Sequence, residues 1–385
     1  MTTQLVLSEY ILNQSNLLVV ISNRYGSIEF ISKAVEKLLG YSEHELCGNE
    51  WWIRTRKHEN INPIKYKILK LFEEPTFTTV VYEHDLLAKN GSTKWIRWEI
   101  TKISDEQLMA IGQDITDRKK FEFSLKEQIL LLNDKNKNIT DSILYAQRLQ
   151  QFILKPPEKL AHFFTDAFVL YLPKDIISGD YYAFYELKDK YVILLADCTG
   201  HGVPGAMMSF LAHSILREIV IANHNVQPSD ILYKADEQLH QLLNQDSIEH
   251  CLDGMDLSVV FIDKNKKYLK YSGAGRPMVI FSKNANEILD FSRDSIGFSE
   301  HSKNFFTIEK SIHPNDTFYL FSDGYADQFG GQRNKKLNRK NFLEILKDIQ
   351  GLPLNEQAAF LEYAHNNWKQ QNEQTDDITI IGIKI

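Results

Sequence analysis

The stretch YVILLADCTGHGVPGA, residues 191–206, joins an apolar run to an acidic exit and a glycine-rich turn. A short apolar run bounded by turn residues reads as a strand buried on both faces, and the AMMSFLAHSILREIV that ends at residue 220 reads as a helix. Asp197 therefore stands where a buried strand gives way to a loop. The same placement recurs along the chain: Asp180 in ISGDYY, Asp323 and Asp327 in TFYLFSDGYADQ, and Asp376 with Asp377 beside it in QTDDITIIGIKI, each set in a loop after an apolar run. Aspartate and glycine populate turns after strands for conformational reasons alone. A whole set of carboxylates at the ends of buried strands is another matter, because unpaired buried charge is expensive or shifts its pKa until the charge is lost.

A shared cation resolves that cost. The candidate donors are all oxygens, with no histidine or cysteine pair at zinc spacing, and such a set suits Mg²⁺ or Mn²⁺. Two ions sharing these carboxylates would lower the pKa of a bridging water and clamp a phosphoryl group for in-line attack, which makes phosphoester hydrolysis the chemistry to expect. The run Gly200-His201-Gly202-Val203-Pro204-Gly205 also fits the dinucleotide fingerprint G-x-G-x-x-G between a strand and a helix. Two features weigh against that use. The helix runs past Ile219 with no second parallel strand carrying an acidic ribose ligand, and Asp197 would repel a pyrophosphate. The glycines are better read as a tight turn that lets backbone carbonyls approach a cation.

With 385 residues and 43% hydrophobic content, the chain is long enough for two or three domains with cores of their own. A net charge of -7 argues against a duplex nucleic-acid binder. Three cysteines, Cys47, Cys198 and Cys251, suggest neither a disulfide framework nor a thiolate site, and fit a reducing cytoplasm. No apolar stretch approaches membrane-spanning length and the N-terminus lacks a signal-peptide pattern, so a soluble cytoplasmic protein is expected. Residues 5–118 read as a compact α+β module, with strands LLVVIS, SIEFIS, TKWIRWEITKI and QLMAIGQDIT around a helical AVEKLLGYSEHEL. From 119 to 155 the pattern turns polar and helical. Leu125, Leu132, Ile139, Ala146 and Ile153 recur every seven residues, and Ile129, Asn136, Ile143 and Gln150 form the complementary seam. This predicts a parallel coiled coil, hence a homodimer, with Asn136 fixing register; a single amphipathic helix packed on its own chain is the alternative. Pro156 and Pro157 end it. From 160 to 385, strands YVILLAD, DLSVVFID, KKYLKYSG, PMVIFS, DTFYLFSD and DITIIGIKI alternate with helices near 204–223, 229–245 and 354–371, which suggests antiparallel sheets covered by helices.

Taken together, SGD (178–180), ADCTGHGVPGAMMS (196–209), SGAGRP (272–277), FSDGYADQFGG (321–331) and TDDITII (375–381) resemble the SpoIIE-like branch of the metal-dependent (PPM, type 2C) serine/threonine protein phosphatases. The resemblance covers 160–385 and implies a four-layer αββα sandwich with two Mn²⁺ or Mg²⁺ ions between the sheets. It implies that Asp180 and Asp197 hold the metal pair, with the backbone carbonyl of Cys198 completing a coordination shell. Asp323 and Asp376 would ligate from the opposite side, with Asp377 as the alternative at that doublet, and a bridging hydroxide would be the nucleophile. Asp327 supports an outer metal or caps the following turn, the cap being favoured. His201 acts as a general acid toward the leaving oxygen or is a structural turn residue. The chain departs from the pattern in three places. Gly179 stands where eukaryotic relatives have a glutamate, Lys174 is the nearest cation where they have an arginine, and GAGR replaces the frequent NAGH, placing Arg276 near where a phosphate would be met.

NLLVVISNRYGSIEFISKAVEKLLGYSEHELCG, KWIRWEITKI and IGQDITDRKKFE resemble a PAS sensory domain. That likeness leaves the ligand unknown. Cys47 lies outside any flavin-adduct motif, His58 and His84 are the histidines open to haem, and an apolar small molecule or protein contact serves equally. DSILYAQRLQQFILKPP resembles the linker that precedes the phosphatase in bacterial signalling proteins. The whole implies a PAS-regulated phosphatase acting on a phosphoserine or phosphothreonine protein such as an anti-sigma-factor antagonist, with no nucleic acid or membrane partner. The basic stretch Arg333 to Lys340 is a candidate docking loop. The rival reading is a catalytically inactive phosphatase-like binding module.

Overall fold

Period-two burial builds the first sheet. In the computed structural model, which describes residues 17–56, 61–73, 79–222, 226–244, 253–283, 285–297 and 302–385, the chain divides into two compact units, Met1–Asn136 and Lys137–Ile385. Cys251, His58 and the start of the expected first domain lie outside the described residues. The first unit has strands β1 (Leu18–Asn23) and β2 (Ile28–Ile31), helices α1 (Lys33–Leu39), α2 (Glu43–Leu46), α3 (Glu50–Arg54) and α4 (Ile61–Lys70), then β3 (Val80–Leu87), β4 (Thr93–Ser104) and β5 (Gln107–Asp114). The antiparallel sheet runs β2-β1-β5-β4-β3. On β4, Ile96, Trp98 and Ile100 point inward at every second position and pack with Val20, Val35, Leu39, Trp51 and Trp52. The expected helix AVEKLLGYSEHEL is two helices, because Gly40 adopts φ +76° and closes α1.

Asp114 starts the long helix. Its carboxylate accepts the Thr116 N–H at 2.8 Å, and the Thr116 hydroxyl oxygen accepts the Trp95 N–H at 2.9 Å, which ties the helix start to β4. Helix α5 (Thr116–Ile153) then runs 38 residues. Leu125, Ile129, Leu132 and Ile139 of the heptad pattern are exposed. The pattern does not hold to its end. Gln150 is buried and Ile153 packs into the core of the second unit, so the last turns serve their own chain.

The second unit contains α6 (Glu158–Ala161), β6 (Asp166–Leu172), β7 (Asp180–Glu186), β8 (Lys190–Cys198), α7 (Gly202–Ala222), α8 (Pro228–Asn244), β9 (Met255–Asp263), β10 (Tyr268–Ala274), β11 (Met278–Ser282), β12 (Ala285–Leu289), β13 (Ile308–Ser311) and β14 (Thr317–Phe321). It ends with α9 (Gly324–Asp327), the short hairpin β15 (Phe329–Gly330) and β16 (Lys335–Lys336), α10 (Arg339–Asp348), α11 (Leu354–Lys369) and β17 (Ile378–Lys384). One antiparallel sheet has the order β13-β10-β9-β8-β7 and the other β12-β11-β14-β17-β6. Tyr182, Ile193, Leu195 and Val260 of the first face Ile280, Phe318, Leu320 and Ile381 of the second in one core. The outer face of the first sheet, with Val192, Leu194 and Ala196, is covered by α7 and α8; that of the second, with Tyr319 and Phe321, is covered by α9, α10 and α11. The result is a four-layer αββα arrangement, and β8 reads as a continuous apolar run because both its faces are covered.

Helix α7 corrects one expectation. It is long and apolar enough by length and composition to span a membrane. Its Ala212, Ile215, Leu216 and Ile219 are packed on the sheet, which explains the composition.

Candidate metal centre and its arginine

Strand register assembles the site. Asp180 opens β7 and sits opposite Asp197 of β8, which sits opposite Asp256 of β9. Residues facing each other across antiparallel strands project to the same side, so three carboxylates stand abreast at one end of the first sheet, on the side facing the second. Asp180 and Asp197 are thus strand residues rather than loop residues, because the ladder extends through them. From the second sheet, Asp323 follows β14 and Asp377 precedes β17. The Asp323 N–H points at Asp197 Oδ2 at 3.5 Å, and the Thr379 hydroxyl donates to Asp180 Oδ2 at 2.6 Å.

Burial sets the electrostatics. It pushes the Asp180 carboxyl up to about 7, an effect the Thr379 hydroxyl opposes and the Asp377 charge reinforces. Burial also raises Asp197 well above the usual carboxylate range, with Asp180 adding to the rise and Arg276 opposing it. Arg276 is the surprise. Its side chain turns inward, with Nη2 2.5 Å from Asp197 Oδ2 and 2.9 Å from Asp323 Oδ2, and Nε 3.1 Å from Asp256 Oδ2. Burial alone would lower its pKa, and Asp197, Asp323 and Asp256 more than reverse that. The sequence placed this arginine where a phosphate would be met; here its guanidinium stands among the carboxylates as their counter-ion. Among the described residues, no three histidine, cysteine or carboxylate side chains are arranged around a common point for a metal ion. The donor chemistry nevertheless fits a hard divalent cation. It is all carboxylate oxygen, two members are nearly sealed from water, and a single arginine faces three of them.

The aspartate doublet separates into two kinds of residue. Asp377 is buried, and its two oxygens accept the backbone N–H groups of Lys174 and Gly179, each at 2.7 Å. It therefore clamps the loop that leads into Asp180. Asp376 is partly exposed, and one of its oxygens accepts the Asp377 N–H at 2.9 Å. Gly179 is a matter of space: a Cβ there would lie 2.4 Å from the Gly200 carbonyl oxygen and 3.2 Å from that of Cys198, so the glutamate of eukaryotic relatives has no room. The Cys198 thiol is buried, and burial first, then the Asp197 charge, pushes its pKa well up.

The remaining expectations sort plainly. His201 is half-exposed, and its Nδ1 pairs with Asp175 Oδ2 at 2.6 Å rather than with the clustered aspartates. Asp327 is not a cap. It pairs with Lys336 Nζ at 2.7 Å across the turn. The basic stretch 333–340 is a hairpin end leading into α10, where the Asn338 side chain accepts the Asn341 N–H. Asp256, Asp175 and Gln150 escaped the sequence reading. The signal for Asp256 was present: DLSVVFID opens on a carboxylate that antiparallel pairing brings beside Asp197. Gln150, from α5, donates to the Ser178 carbonyl at 2.7 Å and to the Ser209 hydroxyl at 2.9 Å, and accepts the Ser178 N–H at 3.1 Å. Gln147 donates to the Ile176 carbonyl at 2.8 Å.

The sequence pattern of the family described as Stage II sporulation protein E (SpoIIE) matches residues 188–385, just over half of the 385-residue chain. The chain belongs to the SpoIIE family. A PAS fold pattern matches residues 28–111 of this SpoIIE-family protein. Two relatives are Bacillus subtilis (strain 168) proteins. Phosphoserine phosphatase RsbP is 22% identical over 162 residues, 38% of this chain and 39% of that protein. Phosphoserine phosphatase RsbU is 26% identical over 197 residues, 49% of this chain and 54% of that protein. The SpoIIE-family chain thus spans less than two thirds of either. Among solved structures, the SiaA-PP2C domain of Pseudomonas aeruginosa superposes with a TM-score of 0.60 at 31% identity, covering 65% of this chain and 98% of that domain. The sandwich is therefore a PP2C-like fold, joined through the α5 helix to a PAS-like unit.

Proposed function

We propose that the second unit is a metal-dependent protein serine/threonine phosphatase whose output is set by the PAS-like unit, and that its substrate is a phosphorylated partner-switching protein. The observation that carries this reading is the gathering of Asp180, Asp197, Asp256, Asp323 and Asp377 at one end of the two sheets around a single arginine. The names of RsbP and RsbU, both phosphoserine phosphatases, support the substrate class. Two Mn²⁺ or Mg²⁺ ions would be held by Asp180, Asp197, Asp323, Asp376 and the Cys198 carbonyl, because Asp377 has committed both oxygens to backbone N–H groups. When bound, they supply an acidified water and charge neutralisation at the phosphoryl group. Thr379 and Ser322 orient Asp180. Asp175 holds His201 Nδ1, which leaves Nε2 to deliver a proton to the departing serine oxygen. A homodimer forms through the exposed seam of Leu125, Ile129, Leu132 and Ile139.

The Arg276 counter-ion is the observation behind the rival reading, a catalytically silent module whose carboxylates are already neutralised. Hydrolysis of p-nitrophenyl phosphate and a phosphoserine peptide with Mn²⁺, Mg²⁺ or EDTA decides. Metal-dependent phosphate release, lost in Asp197→Asn and Asp323→Asn, is expected. Absence of release from the full chain under every condition would leave the silent module.

A further inference from the structure

The PAS-like unit encloses a cavity of about 440 Å³ lined mainly by aromatic and aliphatic side chains, Trp51, Trp52 and Trp98 among them. Trp51 and Trp98 meet edge to face with centroids 6.0 Å apart, and the His84 ring stacks on Trp98 at 6.3 Å. One wall breaks the apolar pattern. Arg56 lines the same cavity and is only 6% exposed, yet of its guanidinium nitrogens only Nη1 has a recorded bond, to the Asp85 backbone carbonyl at 3.2 Å. Its Nε and Nη2 have no hydrogen-bond partner among the described residues, and neither do Trp98 Nε1 and His84 Nδ1. Trp52 shows the contrast, since its Nε1–H is satisfied by the Gly26 carbonyl at 2.7 Å.

Buried polar groups are normally paired, and an unpaired buried charge is among the most costly features a core can carry. Burial lowers the Arg56 pKa to about 10, which still leaves it charged at neutral pH, and burial with the Arg56 charge holds His84 down at about 3, hence neutral. The wall therefore offers one positive charge and the indole N–H of Trp98, a donor only, beside aromatic faces. A guanidinium edge matches a carboxylate in shape, and one buried charge balances a monoanion but leaves a phosphate dianion half uncompensated. We propose that this cavity binds a small monocarboxylate with an apolar or aromatic body, its carboxylate on Arg56 and Trp98 Nε1 and its body against the tryptophans. The site is independent of the phosphatase reading and gives the PAS-like unit a ligand class.

The test uses the full-length protein and a matched series: benzoate, phenylacetate and hexanoate against benzamide, phenylacetamide and hexanamide, by titration calorimetry and thermal shift. Saturable binding of at least one acid, with its amide weaker by about tenfold or more, is expected, as loss of a charge-assisted hydrogen bond implies. Arg56→Met should lose acid binding by a similar factor while unfolding, without ligand, at a temperature equal to or above that of the native chain, because it removes an unpaired charge. A merely structural arginine would lower that temperature when replaced. Three results overturn the assignment: no acid binding saturably, amides binding as well as acids, or Arg56→Met retaining acid affinity. The first of these would mean that the donors are served by water alone.

Discussion

Arg276 holds a position that a metal ion would contest. Its guanidinium lies within ion-pair distance of Asp197, Asp256 and Asp323, and removing one partner from a buried charge cluster costs about 3–5 kcal/mol. Arg276→Met should therefore unfold at a markedly lower temperature in EDTA. Mn²⁺ should raise its melting temperature by more than it raises that of the native chain, since a cation then replaces the lost charge; equal Mn²⁺ shifts would show that arginine and metal do not compete. The doublet beside it carries a second prediction. Asp377→Asn puts an amide N–H₂ against either the Lys174 or the Gly179 N–H, leaving a buried donor unsatisfied at about 1–3 kcal/mol. Asp376→Asn disturbs no such clamp. Asp376→Asn should abolish Mn²⁺ binding by calorimetry at unchanged stability in EDTA, and Asp377→Asn should lower stability first. The opposite pattern would exchange their roles. Neighbouring aspartates look alike in a sequence, and only the loop returning from Lys174 and Gly179 tells them apart.

At the scale of elements, what the sequence could disclose depended on how one-sided each pattern was. YVILLAD and DITIIGIKI were readable as strands because uniform burial leaves uniform apolarity. DAFVLYL and DYYAFYE, which became β6 and β7, mix aromatic and polar residues and hid their role; β7 is nonetheless the strand that brings Asp180 opposite Asp197. Helix α10 was hidden by its charged N-terminal half, since only Phe342 and Leu346 are buried along it. The heptad pattern of α5 was legible, but its last polar seam position was not, because a glutamine on a seam and a glutamine bonding a distant loop have the same spelling. Gln150 satisfies both the N–H and the carbonyl of Ser178, two residues before Asp180. Gln150→Leu preserves bulk and leaves both groups unpaired, at about 1–3 kcal/mol each. We expect a lower melting temperature and a fall in kcat with KM little changed, because the loop that carries Asp180 loses its hold on the helix. A variant with native turnover would detach α5 from the working of the site.

Across the whole molecule, each unit carries a buried histidine held neutral, and the two units should answer acid differently. Burial, then the Arg56 charge, keeps His84 at about 3, while burial, then Lys369, keeps His365 at about 4. An unfolded histidine titrates near 6.5. Below that pH the unfolded chain takes up protons that the folded chain refuses, so both residues contribute stability that is present above 6.5. That contribution is lost as pH falls toward the folded value, at up to about 1.4 kcal/mol per pH unit for each. In the second unit, the carboxyl of Asp180, held up at about 7, acts with the opposite sign: its folded form binds the proton first, so its contribution grows as pH falls from 7 toward 4. The first unit has His84 without such a counterweight among its described carboxyls, where Glu45 and Glu83 are shifted down and so add to the acid loss at lower pH. Thermal unfolding of the full chain in EDTA between pH 7 and pH 4.5 should therefore destabilise the PAS-like unit before the sandwich. His84→Phe, which keeps a ring against Trp98, should flatten that unit's pH dependence by about one proton. A first transition as steep in the variant as in the native chain would place the acid sensitivity elsewhere.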